Sequence, residues 1–497
     1  MSVESAEVPG KRSRRSAPQT NPDGTPTVRR PTGRAAELGL LILVAIIVTS
    51  ALALVELNQN RALSLALLWY GLAFFVVFGV AHLIVRSIAR YADPLLLPLV
   101  ALLNGLGLVM IHRLDLANTA KALRAGDDLP SPIAPTQLVW TGVAVAFFLV
   151  VLMVIKHHST LQRYTYTLGL ASVVFLAVPA VLPARFSEVN GAKIWIKIPG
   201  AFSIQPAEFA KIGLIIFAAS FLVAKRTVLS TAGKRVLGLV LPRARDLGPL
   251  LIAMVVALGV LFMGKDLGTA LLLFSVFLVM VYMATGRASW LIIGLLGFAA
   301  GAYIAYREFS HVRLRVDIWL HPFADPSNTG YQLVQSLFGL GTGGIFGTGL
   351  GAGRPDLVPF ANTDFITAAL GEELGLVGLT AILLCYLLLG ARGLRAGLAV
   401  KDNFGKLLAA GLSFSMVFQV FVVVGGVTRL IPLTGLTTPF LSYGGSSLLA
   451  NYILIALLVR ISHSSRMPVE RPAPPPAPLN EAMTEMVPIG DLRGGTA

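Results

Sequence analysis

The chemistry that this sequence could perform centres on one acidic residue, Asp325. It lies between Pro322 and Pro326 in a Gly- and Pro-rich segment, and apolar stretches long enough to cross a bilayer flank that segment on both sides. Proline fixes the backbone φ angle, so we expect the carboxylate to sit on stiff backbone. A carboxylate held in this way at a membrane surface is well placed to act as a general base on a substrate that lies in lipid.

A second candidate is a charged pair, Glu208 and Lys211, where a polar segment runs into an apolar stretch. Pro206 suits the first position of a helix, and residues three apart on a helix share a face and can pair. Ionisable groups inside membrane spans are costly, and this favours a functional role. The alternative is that Glu208 only complements the positive end of the helix dipole.

Other charged residues within or beside apolar stretches indicate a polar cavity. Asp266 lies in a tight turn between two apolar runs, and Glu372 and Glu373 lie about two turns, roughly 10 Å, inside a later one. Burying two adjacent carboxylates would raise at least one pKa unless a cation lies nearby. Either a proton relay or a structural ion pair would fit these two residues.

The stretch before Asp325 carries basic residues that alternate with apolar ones. This alternation predicts that His311, Arg313 and Arg315 share one face. Arginine recognises phosphate oxygens through two parallel hydrogen bonds, so the two arginines are candidates for binding a phosphate. Anchoring on lipid headgroups is the other interpretation.

Residues 339–353, after Asp325, are rich in glycine. Such a run could offer backbone N–H groups to a pyrophosphate, but it lacks the Gly-Lys-Ser/Thr ending of a nucleotide loop and follows no predicted strand. The sequence therefore favours a flexible re-entrant turn.

Composition indicates what positions these residues: the chain of 497 residues is 55% hydrophobic and 13% charged, which is typical of an integral membrane protein. Apolar runs long enough for helical spans, and no alternating strands of the barrel type, predict an all-α polytopic transmembrane helix bundle of about 12 spans. The single cysteine, Cys385, excludes an intrachain disulfide. The predicted spans are 38–57, 64–86, 94–112, 137–155, 165–182, 207–224, 247–263, 267–284, 289–306, 365–391, 405–426 and 445–461.

Lysine and arginine recur in every second loop, which predicts that both termini are cytoplasmic. The net charge of +15 is then mostly topological bias and attraction to membrane lipids, and nucleic acid is an unlikely partner. The extracytoplasmic loops would be 113–136, 183–206, 307–364 and 427–444. The basic residues 1–36 and the Pro-rich residues 463–497 are predicted to be disordered cytoplasmic tails around a membrane domain, 37–462.

From these residues alone, an exporter and an enzyme acting on a lipid-linked substrate both remain possible. Seven motifs, in order within 94–462, resemble those of the SEDS family, which includes FtsW, RodA and SpoVE. The similarity is greater to the elongation branch than to the division branch. The predicted helix pair at 37–88 lies outside the ten-helix core of that family. The motifs are Gly191–Ile196, Gln205–Lys211, Asp266–Thr269, Asp325–Leu337, Thr363–Ile366, Gly371–Gly375 and Pro439–Ser447.

The resemblance implies a peptidoglycan glycosyltransferase of the bacterial plasma membrane. It would polymerise lipid II, an undecaprenyl-pyrophosphoryl disaccharide-peptide, on the extracytoplasmic face for cell elongation and rod shape. It implies a class B penicillin-binding protein, a transpeptidase, as partner. Asp325 matches the family's essential loop aspartate, Glu208 and Lys211 its cavity pair, and Arg313 and Arg315 its basic residues. The further candidates for lining the cavity are Lys193, Asp266, Gln332, Asp364, Glu372 and Glu373.

The implied reaction is an inverting transfer in which a sugar 4-hydroxyl attacks an anomeric carbon and a polyprenyl pyrophosphate leaves. Asp325 would take the hydroxyl proton. Arg313, Arg315, Lys211 or a divalent cation, Mg or Mn, would neutralise the leaving group. A lipid II flippase, a non-catalytic scaffold and a septal enzyme of the division branch remain as alternatives.

Three positions depart from the family pattern. Ala207 stands in place of a usual serine, Lys265 in place of a common proline, and Phe360 in place of a frequent glutamate. Any role of that glutamate is therefore absent from this chain.

Overall fold

The computed structural model describes residues 32–59, 63, 65–189, 191–198, 203–231, 233–236, 239–242 and 247–468. Most of both predicted tails lies outside the described residues. Where the tails are described they are largely helical, since the first helix begins at Arg34 and the last ends at Arg466. Continuous helix therefore extends past both limits of the predicted membrane domain.

Each of the twelve predicted apolar runs corresponds to one helix, which confirms the all-α prediction. In the described residues, ten helices are long and apolar enough to cross a membrane, and α6 and α9 are shorter apolar helices. The helices are α1 Arg34–Asn58, α2 Leu65–Ile88, α3 Leu96–Ala125, α4 Ala134–Val154, α5 Thr160–Arg163, α6 Thr165–Val181, α7 Ala184–Ser187, α8 Pro206–Thr231, α9 Gly248–Met263, α10 Leu267–Thr285, α11 Ser289–Glu308, α12 Ser310–Leu320, α13 Tyr331–Gly343, α14 Ile366–Ala399, α15 Asn403–Val427 and α16 Gly445–Arg466.

The described strands form three antiparallel pairs in the connecting segments. Two of the pairs lie between α7 and α8, and the third follows α8. The strands are β1 Glu188–Val189 with β2 Ala192–Lys193, β3 Ile196–Lys197 with β4 Ser203–Ile204, and β5 Gly233–Val236 with β6 Leu239–Pro242.

Three helices form the centre of the bundle. In the most apolar stretches of α3, α8 and α16, between 78% and 89% of the residues are buried, against 11% in α11. Helix α16 packs against α4, α8 and α14, whereas the N-terminal pair packs on the outside, α1 against α3 and α2 against α4. Polar side chains on α3 and α8 are therefore surrounded by protein rather than by lipid.

The helices that cross the bundle alternate in direction, so the connecting segments gather at its two ends. We call the end that carries residues 126–133, 182–205, 264–266, 309–365 and 428–444 the loop end. The opposite end carries the described termini, where Arg466 pairs with Asp93. At the loop end, Asn58 at the end of α1 donates a hydrogen bond to the carbonyl oxygen of Leu350.

The segments at the loop end are more ordered than the sequence predicts. Helix α3 continues to Ala125, so about half of the predicted loop 113–136 is helical. Alanine, leucine, lysine and arginine dominate residues 120–125, and these residues favour helix even after the apolar run has ended. The segment 307–364 likewise contains α12 and α13.

The predicted shared face holds for His311 and Arg315, which lie four residues apart on α12, but it is wrong for Arg313, because residues 310–320 form a helix rather than an extended segment. In a helix, residues two apart point to nearly opposite sides. Arg313 is exposed, whereas Arg315 is half-buried. Alternation over six residues did not distinguish a strand from one and a half turns of helix.

The glycine-rich segment is not a turn throughout. Its first part, up to Gly343, belongs to α13, and the next residues pack against a break in α14 at Gly375, where φ is 69° and ψ is −173°. The break leaves backbone groups of α14 without helical partners, and the glycine-rich segment supplies them. The bonds run from Thr348 N to Glu372 O, Gly349 N to Glu373 O and Leu376 N to Gly344 O, at 3.0 Å each, and from Val377 N to Ile345 O at 3.1 Å.

We expect Gly375→Ala to destabilise the protein by at least about 2 kcal/mol, because it adds left-handed strain of about 1–2 kcal/mol and a steric clash of about 1–3 kcal/mol. A Cβ atom at this position would lie 2.2 Å from the Gly347 nitrogen. The free energy of unfolding in mixed detergent micelles measures the loss. The control is Gly341→Ala, where no atom lies within 4 Å of the added Cβ. Equal stability of the two variants would contradict the role of the break.

Candidate active site

The predicted pair of Glu208 and Lys211 forms in the first turns of α8, which begins at Pro206 as expected. Lys211 Nζ lies 2.5 Å from Glu208 Oε2 and 2.9 Å from the side-chain oxygen of Gln419 on α15. All three side chains are buried. Gln419 in turn donates to the carbonyl oxygen of Thr437 at 2.8 Å, which joins α8 and α15 to the segment before α16.

Gln419 was not a candidate from the sequence. It is a buried amide in the middle of the apolar helix α15, and that contrast is the signal that could have found it. A buried amide needs hydrogen-bond partners, and here it uses its oxygen for Lys211 and its nitrogen for Thr437.

Asp266 caps the N-terminus of α10. Its Oδ1 accepts from the Thr269 backbone N–H at 3.0 Å, and its Oδ2 accepts from the Thr269 hydroxyl at 2.8 Å. Burial raises the pKa of Asp266 despite these bonds and the nearby charge of Arg315. The preceding Lys265 has φ of 63°, which proline cannot adopt, so the departure at this position accompanies a distinct backbone turn.

Arg315 extends from α12 towards two carboxylates. Its Nη1 donates to the carbonyl oxygens of Leu433 and Thr434 at 3.1 Å each. Burial lowers the pKa of Arg315, and the charges of Asp266 and Asp364 oppose that shift. Burial likewise raises the pKa of Asp364 to about 6, against the attraction of Arg315. Arg315 therefore provides positive charge between two acids that burial makes harder to ionise.

We call Glu208, Lys211, Asp266, Arg315 and Asp364 the central cluster. The charges of Glu208 and Arg315 both act on Asp266, and that of Arg315 acts on Asp364. The cluster brings together the beginnings of α8, α10 and α14 with one face of α12, at the loop end of the bundle. It combines three carboxylates with two cations, which suits the binding of a polar or anionic substrate group.

The raised pKa of Asp364 predicts that the stability of the protein depends on pH. Its pKa is about 6 in the folded protein against an ordinary value of 3.8, so the folded state binds this proton more tightly. The resulting stabilisation is complete below the ordinary value and is lost as the pH rises through about 6. We expect the thermal unfolding midpoint to fall over this range in the wild type and to fall less in Asp364→Asn. Asp317→Asn, at an exposed acid on α12, is the control, and an equal pH dependence in all three proteins would contradict the assignment.

Asp325 lies in the segment between α12 and α13, and its carboxylate is bound locally. Oδ1 accepts from the Asn328 amide at 3.1 Å, and Oδ2 accepts from the Thr329 backbone N–H at 3.2 Å and the Thr329 hydroxyl at 3.0 Å. These bonds, those from Thr329 above all, lower the pKa of Asp325. No hydrogen bond or ion pair within the described part of the chain joins Asp325 to the central cluster. Asp325 is therefore a partly exposed carboxylate that is ionised at neutral pH.

Glu372 and Glu373 form a separate site with Arg113 of α3. Arg113 Nε donates to Glu373 Oε1 at 3.0 Å, and both groups are fully buried. The remaining carboxylate oxygens accept backbone N–H groups, Glu373 Oε2 from Gly351 at 3.0 Å and Glu372 Oε1 from Arg354 at 2.6 Å. This geometry favours the structural ion pair over the proton relay. Arg113, a lone arginine within a buried helix, was missed in the sequence.

Three other predicted residues make no hydrogen bond or ion pair with the central cluster in the part of the chain that is described. Arg313 is exposed on α12, and Lys193 is exposed on β2, opposite Glu188. Gln332 is half-buried in the first turn of α13.

The described residues contain no group of three or more His, Cys, Asp or Glu side chains that could hold a metal ion. Within the central cluster, Glu208 is paired with Lys211 and Asp266 accepts from Thr269, while Arg315 acts on Asp364 through its charge. The positive charges that the cluster itself offers to a substrate are those of Lys211 and Arg315.

Comparison with known proteins gives consistent matches. Residues 94–467 match the family model of FtsW, RodA and SpoVE, described as cell cycle proteins. The peptidoglycan glycosyltransferase RodA of Mycobacterium tuberculosis is 60% identical over 457 residues, 92% of this chain and 96% of the relative. That of Mycobacterium leprae is 56% identical over 94% of this chain and 99% of the relative. Stage V sporulation protein E of Bacillus subtilis is 34% identical over 75% of this chain and 98% of the relative.

Two solved structures share the fold. One belongs to a study of the structural coordination of polymerization and crosslinking by a peptidoglycan synthase complex; it has a TM-score of 0.58 at 28% identity, over 75% of this chain and 98% of that chain. The rod shape determining protein RodA of Thermus thermophilus has a TM-score of 0.51 at 26% identity, over 76% of this chain and 98% of that chain. Both solved structures align with about three quarters of this chain, which agrees with a family region that begins after α2.

Proposed function

Because this chain belongs to the family of FtsW, RodA and SpoVE and is a peptidoglycan glycosyltransferase of the elongation type, we propose that it polymerises lipid II by direct inverting transfer with Asp325 as the general base. One observation carries the choice of base. Asp325 is the acidic candidate whose carboxylate is partly exposed, ionised at neutral pH and bound only by neutral groups. Of the other acidic candidates, Glu208, Asp266, Glu372 and Glu373 are buried, and the charge of Arg315 acts on Asp364.

In the proposed reaction, the 4-hydroxyl of one sugar gives its proton to Asp325 as its oxygen bonds to the anomeric carbon of a second sugar. The bond from that carbon to the diphosphate oxygen breaks, and the diphosphate leaves with the electron pair. Both oxygens of Asp325 accept local hydrogen bonds, so the incoming hydroxyl must share or displace one of them. A general acid is not required, in contrast to glycoside hydrolases with paired carboxylates.

The leaving diphosphate needs neutralisation, and we assign this to Arg315 with support from Lys211. Arg315 lies ten residues before Asp325 and belongs to the same connecting segment, so one segment carries both the base and a cation. The guanidinium donates planar pairs of hydrogen bonds, which match phosphate oxygens. A divalent cation that arrives with the diphosphate would add to this effect. Arg313 points away on α12 and is not part of the assignment.

We further propose that the loop end faces the extracytoplasmic side, with both described termini on the cytoplasmic side. Among the described residues, lysine and arginine are more numerous at the opposite end of the bundle than at the loop end. Positive residues are enriched on the cytoplasmic side of membrane proteins. The residues that support this orientation are Arg86, Arg90, Lys156, Arg163, Lys225, Arg226, Arg287, Arg392, Arg395, Lys401, Arg460 and Arg466.

We propose a class B penicillin-binding protein as the partner that crosslinks the new strand. The support is the solved relative from a complex that coordinates polymerization and crosslinking. A chain without a transpeptidase domain in its described residues would need such a partner to insert its product into the wall.

The decisive experiment gives labelled lipid II to the purified chain with its partner in detergent and separates the products by size. A ladder of glycan polymers that depends on this chain supports the proposal. Movement of lipid II between leaflets of proteoliposomes without polymer would favour the flippase alternative. The absence of both activities would favour a non-catalytic scaffold.

A further inference from the structure

A second cavity lies at the loop end, apart from the central cluster, and has a volume of about 880 Å³. Asn58 and Gln59 at the end of α1 line one side, the last turns of α3 line another, and residues 351–354 and 356–357 complete it. Helix α1 precedes the region that matches the family. The cavity is therefore built partly from a helix that the family core lacks.

The side chains that line this cavity are predominantly basic. Arg113, Lys121, Arg124 and Arg354 contribute positive charge, and Asp356 is the acid among the lining residues. Arg354 is paired with Asp356, with Nε 3.2 Å from Oδ1, whereas Lys121 and Arg124 are exposed and have no ion-pair partner among the described residues. The lining thus attracts an anion.

Arg113 lines this cavity, and one of its N–H groups is not satisfied. Its Nε and Nη2 are bound to Glu373 and to the Gly353 carbonyl oxygen, the latter at 2.7 Å. Its Nη1 is buried and has no hydrogen-bond partner among the described residues, and the residue as a whole is 2% exposed. A buried N–H group without an acceptor is costly, so an anion that reached Nη1 from the cavity would be favoured.

The position of the cavity along α3 indicates what kind of anion would reach it. Helix α3 begins at Leu96, so Arg113 lies about 26 Å along the axis and Lys121 about 38 Å, at 1.5 Å per residue. The hydrocarbon core of a bilayer is about 30 Å thick. With Leu96 taken as the opposite edge of the hydrocarbon core, Arg113 and Lys121 bracket the level at which lipid phosphates lie, and the small side chains of Ala117 and Ala120 leave room between them.

We propose that this cavity binds the phosphate headgroup of a membrane lipid, with Arg113, Lys121 and Arg124 as its ligands. The phosphate can belong to an anionic glycerophospholipid or to a polyprenyl diphosphate. The second source rests on the proposed function, since such a lipid carries the substrate and is the leaving group; the first does not. In either case α1 acquires a role, because its end forms one wall of the site.

The test measures binding of fluorescent lipids to the purified full chain in neutral detergent, without any acceptor substrate. The probes are phosphatidylglycerol, a polyprenyl diphosphate and, as a lipid without phosphate, diacylglycerol. The variant is Lys121→Gln with Arg124→Gln, two exposed positions whose replacement leaves the buried pair of Arg113 and Glu373 intact. Arg307→Gln, at an exposed arginine at the loop end but outside the cavity, is the matched control.

We expect the wild type and the control to bind a phosphate-bearing lipid and not diacylglycerol. The double variant should bind at least about tenfold more weakly, because hydrogen bonds to charged groups are lost. Selective binding of phosphatidylglycerol or of the polyprenyl diphosphate would identify the source. Equal binding by the double variant and the wild type, or no preference over diacylglycerol, would overturn the proposal. Asp325→Asn should bind these lipids as the wild type does. The binding test therefore distinguishes an error in this site from an error in the proposed catalytic base.

Discussion

Asp325→Asn is expected to reduce the initial rate of glycan polymerisation by about 10²–10⁴-fold, the usual contribution of a general base. Asparagine has nearly the same size and keeps an oxygen that can accept the hydrogen bonds from Asn328 or Thr329. It cannot, however, take up the proton of the attacking hydroxyl. The measurement is the rate at which the purified variant, with its partner, converts labelled lipid II into polymer at saturating substrate.

The control for Asp325 is Asp317→Asn, which removes the same charge from an exposed position on α12 and should leave the rate nearly unchanged. The pH profile of the wild type gives a second check. Because local hydrogen bonds lower the pKa of Asp325, the base form persists below the ordinary value of 3.8, and Asp325 should impose no loss of activity between neutral pH and about pH 5. Full activity of Asp325→Asn, with intact fold, would refute the assignment.

Lys211→Met is expected to cost about 3–5 kcal/mol of stability, because it leaves Glu208 buried without its cation. Lys211 Nζ lies 2.5 Å from Glu208 Oε2, in a part of the bundle that excludes both water and lipid. The free energy of unfolding in mixed micelles measures the loss. Polymerisation should fall as well, because Lys211 supports Arg315 in neutralising the leaving diphosphate.

The double variant Glu208→Gln with Lys211→Met separates pairing from simple loss of packing. Removal of both charges leaves no unpaired ion, so the double variant should be more stable than Lys211→Met alone. Lys225→Met, an exposed lysine on the same helix, is the control and should change stability little. If the double variant were as unstable as the single one, the ion pair would not be the source of the effect.

The sequence alone predicted the twelve helices of the apolar runs and the pair of Glu208 and Lys211 correctly. Both depend on neighbours in the chain: the length of an apolar run defines a span, and a spacing of three residues after Pro206 defines a helix face. The sequence also placed Asp266 in a tight turn between two apolar runs. That it caps α10 was not predicted, although a helix cap depends only on the residues that follow it.

Only the tertiary structure showed which arginine joins the central cluster, since the alternating pattern before Asp325 is helical and directs Arg315 inward and Arg313 outward. It also showed that the glycine-rich segment completes the broken backbone of α14, and that Arg113 meets Glu373 across 260 residues. Contacts of this kind depend on which helices become neighbours and at what level their polar groups meet. Local pattern does not carry that information, because packing and the need to satisfy every buried polar group act between segments far apart in the chain.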